Sequence, residues 1–247
     1  MNIHAIPATP DLADAAAANA AAILGECLAK NGKARIMMAT GASQLELIDR
    51  LLAADIDWPK IEMFHLDEYI DLPETHPASF RKYLKERFAG RIRLAKAHFV
   101  DWEGDLAGNI RRLNAELAAF PIDLGFIGIG ENAHIAFNDP PADFEATDPY
   151  IIVTLDDACK KQQVGEGWFP DLAGVPTRAI TASVKQILAC RRIISFVPYK
   201  SKAEAIREVL ANDVTNMIPA TILKTHPAVD LYLDAESSAM APLGKLA

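Results

Sequence analysis

The segment from Ile122 to Pro141, IDLGFIGIGENAHIAFNDPP, places the strongest single constraint on how this chain folds. It begins as a short apolar run with the length and composition of a buried parallel strand. The run breaks at Gly128 and Gly130, and polar side chains follow within nine residues at Glu131, Asn132, His134, Asn138 and Asp139. In open α/β sheets ligands bind beyond the carboxyl ends of the strands, where this cluster would lie. A glycine-rich turn with a hydrogen-bonded histidine is the alternative, but it explains poorly why so many polar groups follow a core strand.

Strand and helix patterns alternate along the rest of the chain. Short apolar runs predict strands at 35–39, 61–66, 124–129, 151–154, 179–183, 193–197 and 231–233. Helical spacing predicts a first helix over 9–30 with Thr9 as its N-cap, and further helices at 75–88, 105–118 and 156–165, after Ser43 and from Lys200. This alternation predicts a single α/β domain over residues 1–247. The expected architecture is a three-layer, Rossmann-like fold in which helices cover both faces of a mostly parallel sheet.

Polar residues follow several of these strands and would converge on one rim of the sheet. The turn from Thr40 to Ser43 precedes a helix, where backbone N–H groups and the helix dipole favour an anion. Asp67 and Glu68 are adjacent carboxylates at a strand end, and Lys202 lies in a first helical turn, where a cation opposes the dipole. Each feature also has an ordinary structural explanation: an N-cap at Ser43, a solvated turn and an exposed lysine.

The composition excludes several classes of function. A formal charge of −8 and a pI near 5.3 argue against the clustered basic surface that nucleic-acid binding needs. The three cysteines, Cys27, Cys159 and Cys190, have no zinc-site spacing and are expected to be free thiols in a reducing compartment. The N-terminus lacks the pattern of a signal peptide, and the run from Ala15 to Ala22 is too short to span a membrane. We therefore expect a cytoplasmic protein with neither nucleic acid nor membrane as a partner.

Five motifs together resemble the glucosamine-6-phosphate deaminase family, which shares its fold with 6-phosphogluconolactonase. They follow the family order and cover most of the chain: ATGAS at 39–43, FHLDEYIDLPETHPASF at 64–80, GIGENAHIAFNDP at 128–140, SKA at 201–203 and LKTHP at 223–227. The resemblance implies an enzyme that opens the pyranose ring of an amino-sugar 6-phosphate, moves a proton between C2 and C1, and releases ammonia. Glucosamine 6-phosphate would give fructose 6-phosphate.

The resemblance also implies roles for individual residues. Asp67 would be the base that removes the C2 proton, and His134 would serve ring opening at O5. The implied catalytic group is Asp67, Glu131, Asn132, His134 and Asp139, and the implied substrate and phosphate ligands are Thr40, Gly41, Ala42, Ser43, Glu68, Gly130 and Lys202. Neither a metal nor an organic cofactor is implied. The partner is a phosphosugar, and self-association is left open because family members range from monomers to hexamers.

The chain departs from the family pattern around the histidine and at the phosphate. Asn132 stands where most members have Asp, Asp139 replaces a longer Glu, and Ala133 replaces a Gly, which would strain the loop if its φ is positive. Glu131 is a candidate to compensate for the missing carboxylate. The phosphate-binding arginine of the family falls near Gly167, and its candidate substitutes are Lys160, Lys161 and Arg178.

Three other functions remain as alternatives. Galactosamine 6-phosphate differs from glucosamine 6-phosphate only at C4, and no residue in the sequence distinguishes the two sugars. A 6-phosphogluconolactonase-like hydrolase would not need a base at C2. A sugar-phosphate-binding protein without catalysis is suggested by the three departures around His134, because binding can survive the loss of ring-opening chemistry.

Overall fold

Ten strands form two sheets in the computed structural model, which describes residues 1–242. The strands are β1 Asn2–Ala5, β2 Ala34–Met38, β3 Ile61–His65, β4 Asp67–Tyr69, β5 Lys96–His98, β6 Leu124–Phe126, β7 Tyr150–Thr154, β8 Arg178–Ala182, β9 Arg192–Phe196 and β10 Val229–Leu233. Seven of them make a parallel sheet in the order β1-β10-β9-β6-β2-β3-β5. The other three make an antiparallel sheet in the order β4-β8-β7.

Seven α-helices connect the strands: α1 Thr9–Asn31, α2 Leu45–Ala53, α3 Phe80–Leu84, α4 Leu106–Ala119, α5 Asp157–Gly165, α6 Val184–Leu188 and α7 Ala203–Ala211. Single 3₁₀ turns at Ala42–Gln44 and Lys200–Lys202 precede α2 and α7. The prediction that Thr9 is the N-cap of α1 is wrong, because Ala8 is the capping residue and the Thr9 hydroxyl donates to Asp234.

The core lies on both faces of the parallel sheet, as strand alternation requires. In β2, Ile36 and Met38 pack in the core beneath α1 and α2, whereas Met37 faces the opposite core, which contains residues of α4 and α7. Although α1 is long and apolar enough to meet the length and composition criteria for a membrane span, its buried face packs in the first of these cores. The predicted α/β architecture with a mostly parallel sheet and helices on both faces is confirmed.

The antiparallel sheet is a feature that the sequence analysis did not predict. The chain passes directly from β3 to β4 through Leu66, whose N–H bonds to Met38 of the large sheet and whose carbonyl accepts from Ala182 of the small sheet. Leu66 therefore ties the two sheets together and places β4 over the carboxyl end of β3.

The order of the strands creates a crevice between β2 and β6. The next strand of the parallel sheet after β2 is β3, which lies on one side. The next strand of this sheet after β6 is β9, which lies on the other side. The loops after β2 and β6 thus diverge, and such a switch point is where open α/β sheets bind ligands.

Candidate active site

A cleft of about 580 Å³, open to solvent, lies at this switch point. Four of the predicted segments contribute to it from the carboxyl ends of β2, β3, β6 and β9. The predicted site residues that line it are Thr40, Gly41, Ser43, Asp67, Gly130, His134 and Lys202. Asn132 and Asp139 lie behind His134, and Ala42 forms the turn that begins the helical segment after β2. The structure therefore brings together most of the residues that the motifs identify.

His134 is held from behind by Asp139. Its Nδ1 lies 2.9 Å from Asp139 Oδ1, but the contact is bent, so that the ring N–H does not point straight at the oxygen. Asn132 Nδ2 donates to the same oxygen at 3.1 Å, and Asn132 Oδ1 accepts from the His134 backbone N–H at 3.1 Å. Burial raises the pKa of the Asp139 carboxyl, but donors from His134, Asn132 and the Asp156 backbone outweigh it and lower that pKa below its usual value. Asp139 is thus held as a carboxylate beside the imidazole.

The loop that carries His134 turns tightly over Gly130. The Gly130 N–H donates to the His134 carbonyl at 2.9 Å, and the Ala133 N–H donates to the Gly130 carbonyl at 3.0 Å. A β-carbon at Gly130 would collide with the imidazole of His134. Ala133 has φ of +62°, so the replacement of the family glycine does place an alanine in the left-handed region. Its buried methyl packs in the core, which offsets part of a conformational cost of about 1 kcal/mol.

Asp67 is almost completely buried and faces the cleft from β4. Within residues 1–242, no protein donor makes a hydrogen bond to its carboxylate. Burial, and secondarily the charge of the neighbouring Glu68, raises the pKa of Asp67 well above its usual value. A carboxyl with elevated proton affinity at the wall of a cleft suits reversible proton transfer to a bound molecule.

Glu68 does not line the cleft, which corrects its assignment as a substrate ligand. Adjacent strand residues point to opposite faces, and the fully buried Glu68 turns towards the start of α3. Its carboxylate accepts from four donors: the Ser79 hydroxyl at 2.8 Å and the backbone N–H groups of Tyr69, Phe80 and Arg81 at 2.9, 3.1 and 2.7 Å. Glu68 therefore anchors the segment that leads into α3.

Glu131 also differs from its predicted role. Its side chain is exposed and does not line the cleft, while its backbone N–H donates to Gln162 Oε1 at 2.9 Å. Glu131 is thus not positioned to replace the carboxylate that is missing at Asn132, and within residues 1–242 Asp139 is the one carboxylate paired with His134.

Another part of the cleft lining has the backbone donors and the positive charge that suit an anion. Gly41 has φ of +109°, a conformation suited to glycine, and its carbonyl accepts from the Tyr83 hydroxyl at 2.9 Å. The first N–H groups of a helix have no intrahelical acceptor, so those of Ala42 and Ser43 are available to a ligand. Lys202 contributes an ammonium group from a nearly buried side chain. Burial lowers the pKa of Lys202, and the charges of Glu166 and Glu131 oppose that effect.

Side chains of α5 and of its C-terminal cap also contribute to the cleft, which the motifs do not predict. Gln162, Gln163 and Glu166 line it, whereas Lys160, Lys161 and Arg178 do not. Gln162 and Glu166 are four residues apart, and side chains at this spacing lie next to each other on one face of a helix. The sequence therefore carries a signal that these two side chains are close in space. The Gln163 side-chain Oε1 accepts from the Tyr69 hydroxyl at 2.7 Å, which fixes α5 against β4.

Cys159 lies beside the His134 and Asp139 pair. A ligand atom from each of the three residues lies within 4.8 Å of the others, and this is the one such group of three or more potential metal ligands among residues 1–242. Burial, followed by the charge of Asp139, raises the pKa of the Cys159 thiol, which favours its protonated form. A neutral thiol is a poor metal ligand.

Comparisons with known proteins show what the chain is similar to. The sequence matches the family model for glucosamine-6-phosphate isomerases/6-phosphogluconolactonase over residues 7–231. A glucosamine-6-phosphate deaminase of Streptococcus pneumoniae serotype 4 is 35% identical over 216 residues, covering 87% of this chain and 91% of the relative. A monomeric glucosamine-6-phosphate deaminase superposes with a TM-score of 0.88 at 27% identity, over 97% of this chain and 100% of the other. The 6-phosphogluconolactonase of Thermotoga maritima superposes with a TM-score of 0.78 at 15% identity, over 94% and 99% of the two chains, and shares the fold.

Proposed function

Because the chain belongs to the family of glucosamine-6-phosphate isomerases and 6-phosphogluconolactonases, we propose that its cleft converts glucosamine 6-phosphate to fructose 6-phosphate and ammonia. The chain is an enzyme of the isomerase and deaminase family that acts on amino-sugar phosphates. The observation that carries the proposal is the position of Asp67. Its buried carboxylate has no protein donor within residues 1–242 and shares a cleft with His134 and Lys202.

Binding begins at the phosphate in this proposal. The Lys202 ammonium supplies a positive charge, and the turn from Thr40 to Ser43 supplies backbone N–H groups and hydroxyls. These contacts hold the end of the sugar that does not react. Binding energy from this remote group then positions C1 and C2 against the catalytic side chains.

Ring opening is assigned to His134. The C1–O5 bond breaks as O5 gains a proton and the C1 hydroxyl loses one, which leaves an aldehyde at C1. An imidazole suits this exchange because it takes up and returns a proton near neutral pH. The Asp139 carboxylate, 2.9 Å away, stabilises the imidazolium that forms.

Isomerisation and deamination are assigned to Asp67. Its carboxylate removes the proton from C2, the C–H electrons form a C1=C2 double bond, and the aldehyde oxygen takes a proton from water to become a hydroxyl. The resulting enol-amine takes the proton back from Asp67 at C1, which leaves an iminium ion at C2, and loss of a proton from its nitrogen gives the imine. Water adds to the imine carbon and ammonia leaves, so that the product is a ketose phosphate. Lactone hydrolysis requires no carbon acid, and the deaminase chemistry therefore explains the buried base better.

The test is an assay of ammonia release coupled to fructose 6-phosphate formation, with galactosamine 6-phosphate and 6-phosphogluconolactone as parallel substrates. We expect turnover of glucosamine 6-phosphate that falls by about a thousandfold or more in Asp67→Asn. The variant should still bind inorganic phosphate, because Asp67 does not contribute to the anion site. Unchanged turnover in Asp67→Asn, or turnover of the lactone alone, would contradict the proposal.

A further inference from the structure

An acidic side chain occupies the anion site. Glu166 caps the C-terminal end of α5, lines the cleft, and places Oε1 4.0 Å from the Lys202 ammonium. Within residues 1–242 it is the one carboxylate within 4.0 Å of that nitrogen. The Lys202 side chain is 6% exposed and that of Glu166 is 21% exposed, so water screens the pair only in part. A charge as buried as Lys202 requires a counter-charge, and Glu166 supplies it.

Two donors fix the position of the Glu166 carboxylate. Gln162 Nε2 donates to Oε1 at 2.7 Å, and the Trp168 indole N–H donates to Oε2 at 3.1 Å. Gln162 in turn accepts from the Glu131 backbone N–H, which joins α5 to the loop that carries His134. The carboxylate is thus held in place by the protein rather than free in solvent.

A bound phosphate and this carboxylate compete for the same lysine. The two anions would repel each other strongly if both lay within about 4 Å of Lys202 in a partly screened cleft. Among the cleft-lining residues in the described part of the chain, Lys202 is the one Lys or Arg. No second cation there relieves the repulsion, so the carboxylate has to leave Lys202 when a phosphate arrives.

We propose that Glu166 is the resident counter-ion of Lys202, that the phosphate of the substrate displaces it, and that this competition sets the affinity of the site for phosphate monoesters. The inference rests on the proposed function only in assigning Lys202 to the phosphate. Glu166 is then an affinity-determining residue, and its removal strengthens binding instead of weakening it.

Calorimetric titration with inorganic phosphate tests the competition directly. Glu166→Gln keeps the shape of the side chain and removes its charge, and we expect its dissociation constant for phosphate to fall roughly threefold to tenfold. Asp157→Asn is the matched control, because it removes one negative charge from an exposed position at the other end of α5 that does not line the cleft. The control should bind phosphate as the unmodified protein does. Equal phosphate affinity in Glu166→Gln and the unmodified protein would overturn the inference.

A double-mutant cycle shows whether the effect passes through Lys202. Lys202→Met should weaken phosphate binding, and adding Glu166→Gln to it should then strengthen binding by less than it does in the unmodified background, since the carboxylate no longer has a cation to occupy and only its direct repulsion of the phosphate is removed. An undiminished gain from Glu166→Gln in the Lys202→Met background would refute the assigned competition.

Trp168 provides a readout in the protein without a change at Glu166. Its indole N–H is bonded to the carboxylate that is displaced, so phosphate should change the tryptophan emission, and Trp168→Phe should remove that change. This titration decides the matter if Glu166→Gln does not fold. Phosphate binding without any emission change from Trp168 would count against displacement.

The two proposals fail separately. If Glu166→Gln binds phosphate more tightly and the unmodified protein does not deaminate the sugar, the counter-ion role of Glu166 is supported and the proposed reaction is rejected. Deamination by the unmodified protein with unaltered phosphate affinity in Glu166→Gln would do the opposite.

Discussion

Gly130 determines where the catalytic imidazole lies. The ring of His134 occupies the space that a β-carbon at this position would fill, while Asp139 and Asn132 hold the loop from the other side. The sequence identifies all four residues by their motif, and it shows that Asn132 replaces an acid. It does not show that the Asn132 amide donates to Asp139, because that contact depends on how the loop folds back on itself.

Gly130→Ala is expected to reduce turnover far more than it reduces stability. The new methyl group displaces the imidazole, and a shift of about 1 Å in a catalytic group lowers kcat by about a hundredfold. Gly128→Ala is the matched control in the same loop, since a β-carbon there would meet Gln44 Nε2 at an ordinary 3.4 Å. Steady-state kinetics and thermal melts of both variants test this. Comparable losses of kcat in the two variants would show that the imidazole has room to move.

Neighbouring residues of β4 have different roles because successive side chains of a strand point to opposite faces of the sheet. Asp67 faces the cleft, and Glu68 faces the start of α3, where Ser79 caps the helix. The sequence motif treats the two carboxylates as a pair, although strand periodicity allows only one of them to face the cleft. The helix predicted over 75–88 starts later in the structure, at Phe80, because the residues before Phe80 form the turn that Glu68 binds, and beyond Leu84 it continues as a π-helical turn over Lys85–Ala89.

Glu68→Gln is expected to destabilise the protein while retaining catalysis. Glutamine offers one acceptor oxygen in place of two, so at least one buried donor loses its partner, at a cost of about 2 to 4 kcal/mol. Removing the Glu68 charge also removes one of the causes that raise the pKa of Asp67. The acid limb of the kcat profile should therefore move to lower pH. Glu86→Gln, at an exposed site that pairs with Lys82, is the control.

Melting temperatures and pH–rate profiles separate this role from substrate binding. If Glu68 bound the sugar, Glu68→Gln would raise KM and leave the melting temperature unchanged. For a chain of this length, the expected loss corresponds to a fall of roughly 5 to 15 °C.

At the scale of the whole molecule, the apolar pattern of the sequence predicts the buried strands of the parallel sheet but does not predict its two edge strands. β2, β3, β9 and β10 are apolar runs and were predicted to within one or two residues. The edge strands β1 and β5 read NIHA and KAH, and they lack an apolar run because an edge is partly solvated. The order of the strands and the separate antiparallel sheet depend on long-range pairing, which local pattern does not encode. The cleft was nevertheless predictable, because the carboxyl ends of parallel strands share one edge of the sheet.

The buried charge of Asp67 is expected to destabilise the folded protein, and Asp67→Asn should be more stable because it removes that charge. The folded-state pKa of Asp67 is raised, so ionising the group disfavours folding. Below about pH 4 the carboxyl is neutral in both states, and the variant and the unmodified protein should have similar stability. As the pH rises from there through the folded-state pKa, the unmodified protein loses stability relative to the variant. At neutral pH we expect the variant to be more stable by about 1 to 3 kcal/mol, even though it is inactive.

Chemical denaturation between pH 4 and pH 8 measures the difference directly. Asp55→Asn is the control, because Asp55 is exposed and should show no pH-dependent gain. A constant difference between Asp67→Asn and the unmodified protein across this range would mean that burial of the Asp67 charge does not oppose folding. A difference that grows with pH would instead show that the proton affinity suited to catalysis is maintained by the packing of the whole fold around β4.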